Sequence, residues 1–94
     1  MTKSEVVASN IQILVVDDVQ TIRSMVKKQL NTMGIRSVYE FAEGNSAWNF
    51  LVSQESKNIK TDLVIADWNM PLLTGLELLK KIRTEKWGEN LPFL

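Results

Sequence analysis

Three aspartates are the residues of this 94-residue chain best placed to do chemistry. The run "LVVDD" ends in Asp17 and Asp18, and "DLVIAD" ends in Asp67. Each follows an apolar stretch that belongs in an interior, where a carboxylate is rare unless paired or at work. If the two stretches lie side by side, the three acids meet on one rim. Carboxylates ~4 Å apart repel by roughly 4 kcal/mol at an effective dielectric near 20. A bound cation removes that strain. The chain has no His and no Cys, so imidazole and thiolate ligands, thiol catalysis and disulfides are all excluded. An all-oxygen site favours Mg²⁺, Mn²⁺ or Ca²⁺. Mg²⁺ typically takes one or two carboxylates, keeps water and adds a phosphate oxygen. The rim therefore predicts a Mg²⁺ site that also tolerates a phosphoryl group.

Taken singly, each acid has a plainer role. Asp18 can cap a helix that follows it, and Asp67 can open a turn. It is their joint position, at the ends of two buried runs, that favours the site.

The elements that must position these acids can be read from the hydrophobic pattern. "IQILVV" (11–16) is short and rich in β-branched residues, the signature of a strand buried on both faces of a parallel sheet. From Val19 to Met33 the spacing of Ile22, Val26, Leu30 and Met33 predicts a helix, with Gln20, Arg23, Lys27, Lys28 and Asn31 mostly on its wet side. Gly34 should end it in a left-handed cap. "RSVYEF" (36–41) predicts a strand with one wetter face, near a sheet edge. Asn45 or Ser46 can cap a second helix carrying Ala47, Trp48, Phe50, Leu51 and Val52, before the polar connection "SQESKNIKT". "DLVIAD" is the third strand, again read as buried on both faces. "WNMPLL" is a loop around Pro71. Thr74 and Glu77 have capping-box spacing for a third helix. Leu76, Leu79 and Ile82 are its expected inward positions, with Lys80, Lys81 and Arg83 on the solvated side. Gly88 marks an end, and "LPFL" opens a fourth strand. The alternation implies an α/β layer with parallel strands and right-handed crossovers. Ligands of such open sheets sit beyond the carboxyl ends of the strands, where the winding reverses.

Composition narrows the function classes. Eleven basic and eleven acidic residues cancel, so no global charge points to nucleic acid or a membrane surface. No apolar run approaches the ~20 residues of a membrane span. Residues 1–10 read as a polar leader and 11–94 as one domain, with a cytoplasmic location as the default.

Together, "LVVDD", "DLVIADWNMP", "TGLELLKKIR" and "LPFL" resemble the receiver domain of two-component response regulators, most nearly the single-domain chemotaxis kind. Each motif is weak alone; the ordered set is specific and spans nearly the whole chain from Ile11. The resemblance implies a flavodoxin-like doubly wound parallel sheet. Its strand order, 2-1-3-4-5, is the family's known order rather than a deduction from this sequence. It implies Asp67 as phosphoacceptor, with a histidine kinase or a small acyl phosphate as donor. It implies Asp18 as a direct Mg²⁺ ligand, Asp17 as the residue orienting the metal's water shell, and Asn69 as a ligand through its backbone carbonyl. The Asn69 side chain would face the phosphoryl site.

Measured against that family, the chain reaches only the opening of the fourth strand. The Ser or Thr ending that strand, the Lys after the fifth and the aromatic residue on it have no counterparts in residues 1–94. Lys80, Lys81 and Lys86 are not expected to replace that Lys, since they fall on or near the wet side of the third helix. Uncovered apolar faces and an open sheet edge predict association. A homodimer or element-exchanged oligomer is expected, unless the 94 residues are part of a longer protein. Thr74 stands where family members often carry Asp, which fits helix capping.

Two further readings compete. A truncated receiver that cannot be phosphorylated would act as a binding or assembly module. A Mg²⁺-dependent phosphatase of the haloacid-dehalogenase type also forms an aspartyl phosphate, but it needs a second Asp where this chain has Asn69. No Gly-rich phosphate loop is present.

Overall fold

The computed structural model describes residues 10–68, 70 and 73–94; most of the expected leader, residues 1–9, lies outside them, as does Asn69. Three strands, β1 (Gln12–Val16), β2 (Ser37–Phe41) and β3 (Leu63–Ala66), alternate with three helices, α1 (Gln20–Thr32), α2 (Gly44–Ser56) and α3 (Gly75–Thr84). A short 3₁₀ turn, Lys86–Gly88, follows α3. The sheet is parallel with order β2-β1-β3. Its register pairs Val16 with Phe41 on one side and with Ala66 on the other. The expected fourth strand begins where "LPFL" predicts. Phe93 bridges Val64 in parallel sense, and the N–H groups of Val64 and Ala66 donate to the carbonyls of Pro92 and Leu94 at 3.0 and 3.1 Å.

β1 is central and four of its five residues are buried, as a strand covered on both faces must be. Leu14 and Val16 face a large cluster with Ala47, Leu51, Val64, Leu78 and Ile82. Ile13 and Val15 face a smaller one of four buried residues, Ile35 and Val38 completing it, with Val26 and Leu30 of α1 packed against it. So α2 and α3 cover one face and α1 the other. The connection through α1 carries the chain one way along the sheet and that through α2 carries it back past β1. The winding reverses between β1 and β3.

Helix ends follow local chemistry. Gly34 has φ 89°, the N–H of Ile35 donates to Leu30 O at 3.1 Å, and that of Gly34 donates to Asn31 O at 3.0 Å. This is a full Schellman cap, and Leu30 and Ile35 meet in the smaller cluster. At α3 the Thr74 hydroxyl oxygen accepts the Glu77 N–H at 3.2 Å, while its O–H donates to the Glu77 carboxylate at 3.1 Å, the predicted capping pair.

Several expectations need correction. The N-cap of α2 is Glu43, not Asn45 or Ser46, and α2 runs on to Ser56. Asn58, with φ 58°, then supplies a second left-handed cap in which Ile59 N–H donates to Gln54 O at 2.9 Å; Asn accepts this conformation better than most residues. In α3 the buried leucine is Leu78, while Leu76 is 43% exposed. Gly75 and Ile82, one turn before and one turn after Leu78, share its buried face, and Leu76 does not. β3 alternates, with Leu63 and Ile65 half-buried, because α1 covers their side of the sheet only in part. α1 has no fully buried residue, and Ile22 and Met33 of its predicted apolar stripe are 41% and 67% exposed. No helix among the described residues is long and apolar enough to cross a membrane.

Candidate functional site

β1 and β3 are neighbours, so the acids that follow them converge. The N–H of Asp67 donates to Val16 O at 2.9 Å, carrying the β1–β3 ladder one step past its last residue pair. The N–H of Asp17 donates in the same way to Phe41 O at 3.0 Å on the other side. Asp17, Asp18 and Asp67 each bring one carboxylate oxygen into a group whose members all lie within 4.8 Å of one another. Asp17 is buried, Asp67 half-buried and Asp18 exposed, so the cluster is rooted in the fold and open to water on one side.

Asp17 is held at several points. Its Oδ1 accepts the Val19 N–H at 2.9 Å, a local turn of the kind Asp favours. A carboxylate can accept several bonds, so this one leaves Asp17 capacity for the cluster. The plainer role for Asp18 is not observed: α1 starts at Gln20 behind Val19, with no side-chain cap. The acids thus gather where the winding of the sheet reverses, the place where open α/β sheets bind ligands. An octahedral Mg²⁺ shell spans about 4.2 Å between opposite oxygens, comparable with the 4.8 Å limit here. The three oxygens are close enough to hold one such ion between them.

The lysines behave as expected. Lys81 lies over the Trp48 ring, 5.1 Å from its centroid. Lys86 lines a cavity of about 370 Å³ with Leu51, Ile59, Asp62, Trp87 and Leu91. Asp62 precedes β3 whereas Asp67 follows it, so that cavity is at the far end of the strand from the acids.

The chain matches the response regulator receiver domain model over residues 13–94. It belongs to the response-regulator receiver family. The receiver domain is 42% identical over 83 residues to a chemotaxis protein CheY homolog of Campylobacter jejuni, covering 88% of this chain and 61% of that protein. It is 39% identical over 85 residues to chemotaxis protein CheY-3 of Vibrio cholerae, covering 90% and 62%. The solved structure of CheY4 from Vibrio cholerae superposes with a TM-score of 0.73 at 31% identity, over 88% of this chain and 64% of that one. The fold alone is shared with the receiver domain of the Arabidopsis thaliana histidine kinase CKI1, solved with Mg²⁺ and BeF₃⁻. There the TM-score is 0.79 at 23% identity, over 96% and 67% of the two chains. The receiver domain described here thus spans about three-fifths of the length of the curated relatives it matches.

Two residues at the site escaped the sequence pattern. Arg23, expected on the wet side of α1, turns back and donates from Nη1 to the Asp17 carbonyl at 2.6 Å. Gly75, at the start of α3, lies against the backbone of Asp67. A Gly straight after the capping Thr74 was the available signal for a close approach. Arg83 is exposed, as expected of the solvated side, and its Nη1 also donates to the carbonyls of Gly88 and Leu91 at 2.7 and 2.8 Å, tying α3 to the turn that leads into the fourth strand.

Proposed function

We propose that this chain is the phosphoacceptor part of a two-component signalling protein, phosphorylated on Asp67 in a Mg²⁺-dependent reaction with a histidine kinase as donor. The observation that carries this reading is the meeting of Asp17, Asp18 and Asp67 within 4.8 Å at the ends of adjacent parallel strands. Three acids so close need a counter-charge, and the donor set is oxygen alone, which suits a hard divalent ion. When bound, Mg²⁺ supplies positive charge to the phosphoryl oxygens as they are transferred.

The chain's own residues do the rest. An Asp67 oxygen attacks phosphorus in line, the bond from phosphorus to the donor's leaving group breaks, and an aspartyl phosphate remains. Asp18, the exposed member, is the direct metal ligand. Asp17, held by its turn, orients the metal's water. Asn69 contributes its backbone carbonyl. The product is a modified protein rather than a released one, so the domain acts as a switch and not as a turnover enzyme. It works in the cytoplasm, where its donor is found.

The domain pairs with a second copy of itself. Val19, Ile22, Met25 and Met33 expose apolar surface along α1, each at 41% or more. Such surfaces favour association.

Native mass spectrometry of the chain after incubation with acetyl phosphate and Mg²⁺ tests both statements. One phosphoryl adduct per chain is expected, lost in Asp67→Asn and in EDTA, on a particle of two chains. An unmodified wild-type chain overturns the phosphoacceptor reading, and a compact monomer overturns the pairing.

A further inference from the structure

Arg23 sits in the first turn of α1, and its side chain is 15% exposed. It reaches back past the start of the helix to the carbonyl of Asp17, which accepts from Nη1 at 2.6 Å. On its other edge Nε lies 3.6 Å from Glu40 Oε1 on β2, and the second Glu40 oxygen lies 3.6 Å from Lys27 Nζ. With the Phe41 carbonyl taking the Asp17 N–H and the Val19 N–H bonding Oδ1, Arg23 completes the hold on the residue. The Asp17 amide, carbonyl and Oδ1 are thus each held by a hydrogen bond, which fixes the direction in which the carboxylate points.

A guanidinium is an odd neighbour for a cation site, because its charge opposes the ion it helps to seat. Glu40 resolves the conflict. At 3.6 Å it offsets the Arg23 charge, and the clamp then acts through its hydrogen bond with little field of its own. Lys27, the more exposed partner at 42%, is largely screened by water.

We propose that Arg23 is a positioning residue for the cation held by Asp17, Asp18 and Asp67, and that Glu40 neutralises it so that positioning does not cost affinity. This rests on the reading of the three acids as a Mg²⁺ site. Outer partners that fix a metal ligand are typically worth about 10–100-fold in metal affinity. A residue that only docks α1 onto the sheet would weaken Mg²⁺ binding no further than the loss in melting temperature explains, and would not respond to the charge on Glu40.

The test is Mg²⁺ titration by calorimetry of the 94-residue chain in low and high salt, for wild type, Asp18→Asn, Arg23→Ala, Arg23→Lys and Glu40→Gln. Arg23→Ala is expected to bind Mg²⁺ about 10-fold more weakly at both salt concentrations, and Arg23→Lys to recover most of the loss. Glu40→Gln keeps the clamp and unmasks its charge, so its affinity should fall in low salt and return in high salt. Wild-type or tighter binding by Arg23→Ala overturns the proposal. If Arg23→Ala does not fold, Glu40→Gln decides: a salt-reversible loss supports it, and unchanged binding overturns it. Failure of the underlying reading looks different, since wild type and Asp18→Asn would then be equally silent toward Mg²⁺, and the proposal falls with it.

Discussion

Gly75 touches Asp67, the proposed phosphoacceptor: a Cβ built on it would run into the Asp67 carbonyl oxygen and meet the carbonyl carbon at 3.0 Å. The start of α3 is thereby pressed against the end of β3, and the backbone that aims the Asp67 side chain has a wall behind it. Backbone cannot swing away as a flexible side chain can, so the methyl group of Gly75→Ala must displace Asp67 or the helix. Overpacking of this kind typically costs about 1–3 kcal/mol, more than Ala returns in helix propensity at a first-turn position. Gly75→Ala is expected to lower the urea midpoint and to weaken acetyl phosphate labelling beyond what the stability loss explains. Equal stability and labelling would show that the contact yields freely.

The acids should oppose folding when no cation is present. Two carboxylates ~4 Å apart in a water-like dielectric repel by about 1 kcal/mol, and Asp18 is the member whose loss disturbs least, being exposed and without a capping bond. Asp18→Asn should therefore melt higher than wild type in EDTA, by the equivalent of about 1 kcal/mol, with the gain shrinking in high salt. Adding Mg²⁺ should reverse the ranking, because saturation at a hundred times the dissociation constant stabilises wild type by about 2.7 kcal/mol. Thermal melts with and without Mg²⁺ read both effects. A lower melting point for Asp18→Asn in EDTA would mean that the acids are not mutually strained.

Leu78 and Leu76 make a matched pair on one helix. Leu78 is fully buried and Leu76 is 43% exposed. Leu78→Ala should cost about 2–5 kcal/mol, and Leu76→Ala within about 0.5 kcal/mol of nothing. Urea denaturation compares them directly; similar losses would contradict the orientation of α3.

Where the sequence was legible, the signal was local and redundant. The two buried runs announced their strands, and the acids closing them announced the rim, because no cheaper arrangement puts Asp17, Asp18 and Asp67 at the ends of apolar strands. Thr74 with Glu77, and Gly34 after Met33, are caps whose chemistry is complete within a few residues. Where it was opaque, the answer lay across the fold. "LELL" offers overlapping apolar stripes, and only the contact of Gly75 with Asp67 chooses the one containing Leu78. Periodicity placed the Arg23 Cα correctly but says nothing of a long side chain that doubles back to the strand before its helix. The polar "SQES" continues α2 because its caps come later, at Asn58.

The core is lopsided. Among the described residues, ten buried hydrophobic ones stand on the α2–α3 face of the sheet and four on the face that α1 covers, while α1 itself buries none of its residues fully. Little apolar area ties α1 down, so its detachment costs less than unfolding the whole chain. Yet α1 carries Arg23 and is joined through Val19 to Asp17 and Asp18. Opening of α1 therefore releases the Val19 and Arg23 holds on Asp17 while β1, β3 and the larger cluster remain intact. In amide exchange the α1 amides and that of Val19, which bonds Asp17 Oδ1, should open together, ahead of those within β1; uniform protection would refute this. An ion held by the acids would then act as a latch on the helix that opens most easily.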